Sequence, residues 1–357
     1  MTNSKNLTDN QIKPIYIMGI ETSCDETSAA IVANGRRIIS NVVASQIDLH
    51  QRYGGVVPEL ASRQHVKNIL PVIDEAIALS GLTIDEIDAI AVTAGPGLIG
   101  ALLVGVSAAK ALAFTIDRPL IAVNHLAGHI AANYLGDNKL KPPFLSLIVS
   151  GAHANIIYVR DYSDYLMIAK TKDDAAGEVF DKLARAVGLG YPGGPMIEQT
   201  AKGGNRNAFP LPHPKIKNSL DFSFSGVKTA ALNVLNKAEL TAKKNGQDRR
   251  KILSDQDFAA TVQETIVEIL ADHLWQAQKL TNAQTIVLAG GVSANLRLRE
   301  TITKLADQIG VKLIVPDIKL CTDNAAMIAA AGYFQWQEGI CSDLSLNATA
   351  LWELSEI

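Results

Sequence analysis

Two histidines, His125 and His129, stand four residues apart in NHLAGHIAANY (124–134). On an α-helix, positions i and i+4 share one face a single turn apart, so two imidazoles so placed can grip one metal ion. Asn124 is suited to cap that helix where the strand-like run LIAVN ends. The spacing invites comparison with the HExxH motif of metalloproteases. Here Leu126 follows His125, so the glutamate that activates water is missing and a protease would lack its general base. Asp323, in CTDNAAMIAAAGY (321–333), offers a third ligand. It falls in the first turn of a small-residue helix, where the helix dipole favours an ionised carboxylate. One carboxylate with two imidazoles suits iron and related divalent ions. The plainer alternative for Asp323 is an N-terminal helix acid.

Glycine-rich turns form the second set. TAGPGLIGA (93–101) contains a literal GxGxxG, with Asp117 beyond it. In a dinucleotide fold the ribose-binding acid ends the second strand, whereas Asp117 precedes the strand-like PLIAV, so nucleotide binding of that type is not expected. VSGAHAN (149–155), YPGGPMIE (191–198) and LAGGVSANLRLR (288–299) are also turns after apolar runs. Such turns expose backbone N–H groups and leave room for a phosphate or ribose. Asp181, on the helix expected within AAGEVFDKLARAVGLG (175–190), can accept a hydrogen bond from a ribose hydroxyl or pair with Lys182 or Arg185.

The elements that must position these groups alternate along the chain. IYIMGIE (15–21) and AAIVA (29–33) suggest a hairpin. AIAVTA (89–94), LIAVNH (120–125), LSLIVSG (145–151), TIVLAGG (285–291) and KLIVP (312–316) read as buried strands, with helices expected over 65–81 and 257–280. The alternation implies an α/β fold with helices packed on mainly parallel or mixed sheets. KPP (141–143) marks a boundary between domains at 14–140 and 141–323. A strand leading into a small polar loop opens each side, GIETSCDETS (19–28) and VSGAHAN, which hints at a duplicated plan with a cleft between two related halves.

Composition narrows the setting. The chain has 357 residues, 48% of them hydrophobic and 19% charged, which suits two folded domains rather than disorder. Residues 1–13 are polar and read as neither signal peptide nor anchor. The apolar stretch 97–114 is interrupted by Lys110 and reads as a buried helix, not a membrane span. Cys24, Cys321 and Cys341 show no CxxC spacing, which fits a reducing cytoplasm. A net charge of −3 means that any RNA contact rests on local patches. NKAELTAKKNGQDRRK (236–251), with six basic residues against Glu239 and Asp248, is one candidate; a solvated helix face is the alternative.

ETSCDETSAAIV (21–32), GGVVPELASRQH (54–65), GPGLIGALLVG (95–105), NHLAGH (124–129), GEVFDKLAR (177–185), YPGGP (191–195), DFSFSGVKTA (221–230), GGVSAN (290–295) and TDNAAMIA (322–329) occur in order. Together they resemble the TsaD family, the tRNA adenosine threonylcarbamoyltransferases of bacterial type formerly labelled O-sialoglycoprotein endopeptidases. The resemblance runs from about Ile15 to about Trp336. It implies an α/β fold of the actin, Hsp70 and sugar-kinase (ASKHA) superfamily, with two domains and the active site in the cleft between them. A C-terminal helix over 324–357 is expected to complete the first domain. The resemblance also implies one divalent metal ion per subunit, typically Fe2+ with Zn2+ or Mg2+ as alternatives, held by His125, His129 and Asp323. Threonylcarbamoyl-adenylate would be bound by Ile148, Val149, Ser150, Gly151 and Ala152, and by Asp181, Gly194 and Asn295. Glu198 stands where many relatives have an aspartate. The family usually reads SGGHT where this chain has SGAHA (150–154), so Ala152 adds a Cβ that would strain the turn if a positive φ were needed there.

The activity so implied is transfer of threonylcarbamoyl from the adenylate to N6 of the adenosine beside the anticodon of tRNAs reading ANN codons, with release of AMP. Asp25, Glu26 and Asp181 are the candidates for general base. The implied partners are tRNA, a TsaB-like paralogue and a TsaE-like ATPase, in the cytoplasm with no membrane contact. Two other readings stay open: an ATP-cleaving kinase on the same fold, and a non-catalytic assembly partner. Kinases of this kind hold Mg2+ through carboxylates and water rather than two imidazoles.

Overall fold

A computed structural model describes residues 13–137 and 139–354. The polar stretch at 1–13 therefore lies outside it except for Lys13, as do the last three residues of the expected C-terminal helix. The first half contains β1 (Tyr16–Glu21), β2 (Glu26–Ala33), β3 (Arg37–Ser45), α1 (Ile47–Gln51), α2 (Pro58–Ser80), β4 (Ala89–Gly95), α3 (Ile99–Thr115), β5 (Leu120–Asn124) and α4 (His125–Gly136). The second contains β6 (Phe144–Val149), β7 (Ala154–Asp161), β8 (Asp164–Lys170), α5 (Ala176–Ala186), α6 (Gly193–Thr200), α7 (Ser225–Lys244), α8 (Asp255–Thr281), β9 (Thr285–Ala289), α9 (Leu296–Ile309), β10 (Lys312–Ile314) and α10 (Ala325–Gln337).

Among the described residues the strands form two five-stranded sheets, ordered β3-β2-β1-β4-β5 and β10-β9-β6-β7-β8. Each half starts with an antiparallel meander and adds two parallel strands on the other side of its first strand. The duplicated plan hinted at by the two opening loops is thus visible as strand order. β1 and β6 are central in their sheets and covered on both faces, which is why they read as continuous apolar runs. β3 and β8, at sheet edges, are partly exposed and mix polar with apolar residues, so no buried-strand pattern betrays them.

Helices α4 and α10 lie between the sheets. One core joins Ile17, Ala91 and Val123 of the first sheet to Ile148, Ile157 and Val287 of the second through Leu126, Ile130, Met327 and Ile328. α2 and α3 cover the outer face of the first sheet, with Ile69, Val72, Val106 and Ala109 against Met18, Ile31 and Val92. α5, α7, α8 and α9 cover the outer face of the second, with Phe180, Val227, Leu270 and Ile302 against Leu145, Ile156 and Leu288.

Two expectations are corrected. The C-terminal helix stops at Gln337, and Gly339 adopts φ 76° two residues later. The following segment runs irregularly along the first half. Its backbone is captured there: Ser342 N donates to Leu120 O, and Thr349 N donates to Ala94 O. Edge contacts with β4 and β5 thus replace helical hydrogen bonds in a stretch rich in Ser, Asp and Asn. The apolar helix α3 is buried on one face only, since Ile99, Leu103 and Phe114 are exposed. No helix among the described residues is long and apolar enough to cross a membrane.

Candidate metal centre and adjoining cleft

The strand β5 ends at Asn124, whose Oδ1 accepts from Leu126 N and starts α4, as the sequence predicts. That cap sets His125 and His129 on one face, with ring centroids 4.6 Å apart. Asp323 comes from the turn before α10. Its Oδ1 lies 3.5 Å from His125 Nε2 and 3.2 Å from His129 Nε2. One donor atom from each residue falls within 4.8 Å of the others. His129 is buried and neither of its ring nitrogens has a hydrogen-bond partner. A buried imidazole that meets only the Asp323 carboxylate, without hydrogen-bond geometry, is left incompletely satisfied, and an ion among the three groups would complete it. The residues therefore fit a metal ion.

The surrounding shell was not singled out from the sequence. Glu21, at the end of β1, is buried and accepts from Thr93 Oγ1 (2.6 Å) and Ser23 N (2.5 Å). Its Oε2 lies 3.0 Å from His125 Nδ1, which also contacts Ser23 Oγ at 3.2 Å. A carboxylate on the far ring nitrogen orients a ligating histidine and directs its other nitrogen to the ion. Burial pushes Glu21 upward, but His125 beside it outweighs this and holds the carboxyl below its usual value. Burial also opposes ionisation of Asp323, and again the two imidazoles win, keeping it well below the ordinary range. Glu21 lies inside the ETSCDETS motif, but only its placement against α4 reveals the contact.

The next residues form the turn between β1 and β2. His65 of α2 braces it, contacting Thr27 Oγ1 at 2.8 Å and Cys24 O at 2.9 Å. Asp25 is half-buried; burial, then the charge of Asp323, raises its carboxyl. Glu26 is buried more deeply. Burial lifts it to about 8 against a hydrogen bond from Ser45, and its second oxygen has no partner. Glu26 is therefore mostly neutral at pH 7.

On the second half the turn after β6 is closed by Ser150 N donating to His153 O (2.8 Å) and by His153 N donating to Ser150 Oγ (3.2 Å). Ile148 and Val149 lie inside β6 with buried side chains, while Gly151 and Ala152 are exposed. The only non-glycine residues with positive φ among those described are Asn34, Asp117, Asn218 and Asn282. Ala152 is not strained, which corrects the expectation attached to SGAHA. Ala154 is fully buried as the first residue of β7. Burial, then His125 and His129, hold the His153 imidazole down at about 4, so it stays neutral.

Asp181 Oδ1 accepts from Gly193 N at 2.6 Å, tying α5 to the start of α6 beside Gly194. Burial raises its carboxyl, opposed by that hydrogen bond. Glu198 Oε1 accepts from Leu296 N at 2.7 Å, tying α6 to the start of α9. Asn295 caps α9 through Leu298 N and donates to Gln263 Oε1 at 2.8 Å. The turns at 149–155, 191–198 and 288–299 are thus neighbours along one rim. A Cβ at Gly151 or Gly194 would meet nothing within 4 Å, so a ligand can reach the backbone there. The GxGxxG glycines behave oppositely. A Cβ at Gly97 would stand 2.6 Å from Ser23 O, and one at Gly100 2.6 Å from Ser62 Oγ; these glycines admit protein, not nucleotide. In the basic run, Asp255 pairs with Arg249 and Arg250, leaving four exposed lysines.

Two like halves enclosing paired helices, with a two-histidine, one-aspartate group between them, define a member of the actin, Hsp70 and sugar-kinase fold able to hold a metal. Solved structures agree on the fold. HypF from T. kodakarensis superposes with TM-score 0.63 at 14% identity over 94% of this chain and 50% of that one. The activator of the 2-hydroxyisocaproyl-CoA dehydratase from Clostridium difficile does so with TM-score 0.50 at 17% identity over 91% and 97%. At sequence level the family model described as TsaD, tRNA N6-adenosine threonylcarbamoyltransferase, matches residues 37–330. A Clostridium perfringens protein of that name is 50% identical over 95% of this chain and 98% of its own length. The chain belongs to the TsaD family of tRNA-modifying transferases.

Proposed function

We propose that the chain transfers threonylcarbamoyl from threonylcarbamoyl-adenylate to N6 of the adenosine beside the anticodon, at the junction of the metal group and the second-half rim. The observation that carries this reading is the pairing of a partnerless buried His129 and its two co-ligands with nearby turns whose glycine backbones are open. His125, His129 and Asp323 would hold one divalent ion, with Fe2+ first and Zn2+ or Mg2+ as alternatives. When bound, the ion supplies a Lewis acid that stabilises negative charge on the acyl donor.

The chain's own groups do the rest. Backbone at Ser150–Ala152 and Gly194 receives the adenylate, with Asp181 as the ribose acceptor and Glu198 and Asn295 fixing the start of α9 beside it. The N6 amine attacks the carbamoyl carbon, the C–O bond to phosphate breaks, and AMP departs with that electron pair. The amine must then lose a proton. Asp25 is the base we favour, because it is the more exposed of the two carboxyls in its turn and lies within electrostatic reach of both Asp323 and Asp181. Holding amine and anhydride together supplies much of the rate enhancement.

Division into domains at 14–140 and 141–323, with α10 packed on the first sheet, belongs to the same reading. So do a cytoplasmic location and two protein partners, a TsaB-like paralogue and a TsaE-like ATPase. Exposed Val66 and Leu70 on α2, beside Ile99 and Leu103 on α3, provide an apolar face suited to a partner helix. Incubation with the adenylate and unmodified tRNA, with and without those partners, followed by nucleoside mass analysis, tests the function. Absence of the modified nucleoside under every metal tried would refute it.

A further inference from the structure

Four lysines on the second half are neutralised within the protein. Lys182 pairs with Asp174 and Glu178, Lys228 with Asp174, Lys172 with Asp221, and Lys170 with Glu353. Arg185, less than a turn beyond Lys182 on α5, is exposed and forms no ion pair among the described residues. Its side chain instead crosses to the first half and lies over Gly54 and Gly55. A Cβ at Gly54 would stand 3.2 Å from Nε of Arg185, and one at Gly55 3.1 Å from Nη2. Both glycines have positive φ, and a Cβ at either would press on the guanidinium. A hydrogen bond from Gln51 Nε2 to Tyr191 O, 3.1 Å, joins the same two segments. Beside Gln51 in sequence stand Arg52, also exposed and without an acidic partner among the described residues, and Tyr53, whose side chain is 59% exposed.

We propose that Arg185, Arg52 and Tyr53 form the landing site for the single-stranded RNA loop that carries the acceptor adenosine. Two guanidinium groups from opposite sides of the gap take backbone phosphates, and the tyrosine ring offers a stacking face to a base. The inference rests on the function proposed above and names the surface through which its RNA substrate is held. Three features favour a polyanion with flat bases over a protein partner. The cations form no ion pair among the described residues, with Arg185 acting on Asp181 only through its charge; an exposed tyrosine follows Arg52 along the chain; and the site adjoins Asp181, one turn before Arg185 on α5. Guanidinium forks match phosphate oxygens in pairs, and exposed aromatic rings stack on any base. A chain with a net charge of −3 needs such a local site to hold RNA at all.

The test measures binding of an unmodified tRNA with an ANN-reading anticodon to the full-length protein, together with its partner proteins, across a salt series. Threonylcarbamoyl-adenylate is titrated in parallel. Arg185→Gln should weaken tRNA binding roughly ten-fold and flatten the salt slope by about 0.7 for each single-strand phosphate that is no longer neutralised. Arg185→Lys should keep the slope while recovering only part of the affinity. Tyr53→Ala should cost roughly ten-fold with the slope unchanged, and Tyr53→Phe should restore binding. Adenylate affinity should stay within about two-fold in all four variants. Weakened adenylate binding with tRNA affinity intact would assign Arg185 to the nucleotide donor and overturn the proposal. Unchanged tRNA affinity with loss of a protein partner would overturn it in favour of a protein interface. If the unaltered protein bound no tRNA, the proposed function itself would fall, and the two failures are thereby distinguished.

Discussion

The turn after β1 and the turn after β6 occupy the same place in two sheets of the same strand order, and they have opposite characters. The first is packed shut. Glu21 is fully buried among Thr93, Ser23 and His125, His65 braces Cys24, and Gly97 of the neighbouring loop touches Ser23. The second is held by the Ser150–His153 pair and by Gly177 N, which donates to Ser150 O, and it leaves Gly151 and Ala152 in the open. Duplication thus yields one closely packed turn that positions His125 and one accessible turn whose backbone can meet a ligand. Precision at a metal comes from dense second contacts, whereas ligand entry requires that such contacts be absent.

The comparison breaks most sharply at the metal. His129→Ala should abolish stoichiometric metal and lower transfer on the order of a thousand-fold, because a Lewis acid contributes several kcal/mol to such a reaction. Elemental analysis and single-turnover rates check this; full metal in a His125→Ala, His129→Ala double variant would remove the site. Glu21→Gln tests whether the closed turn orients the ligand. Metal affinity should fall about 10- to 100-fold without loss of fold, as for other carboxylates behind ligating histidines.

A matched pair of glycine substitutions asks whether closed and open are the right descriptions. Gly97→Ala should destabilise by about 1–3 kcal/mol through overpacking against Ser23, read as a drop in melting temperature. Gly151→Ala should leave stability within about 0.5 kcal/mol and act on adenylate affinity instead. Equal melting temperatures in the two variants would erase the contrast.

Glu26 gives a pH signature to the closed side. Its folded-state carboxyl is raised to about 8, so the folded protein retains a proton that the unfolded chain releases in the ordinary carboxylate range. Its contribution to stability is complete below that range and is lost as pH rises through about 8. Glu26→Gln should flatten the fall in melting temperature over that window; an unaltered pH profile would show that Glu26 is not the buried acid responsible. The smallest effect is expected at Ala152→Gly. With no positive φ to relieve, adenylate affinity should change less than about two-fold. A ten-fold gain would mean that the bound turn adopts a backbone the alanine resists.

Much of this was legible before any coordinates. His125 and His129 share a face because helix geometry is local, and Asn124 announces the cap that starts that helix. The central strands were readable because burial on both faces leaves unbroken apolar runs. The edge strands β3 and β8 were not, because a half-exposed strand carries no such run. Asp323 could be offered as a ligand from its chemistry, but nothing in its own neighbourhood shows that it meets two imidazoles from α4. Glu21 could not be singled out as their orienter, since its partner lies on a helix far along the chain. The glycines teach the same limit. Gly97 and Gly151 are the same residue type in similar turns, and whether each admits protein or ligand depends on what a Cβ would touch. The sequence by itself determined the periodicities, the caps and the donor types, which depend on near neighbours along the chain. The tertiary structure alone decided which donors converge and which turns stay open, because those depend on contacts between segments that the chain keeps far apart.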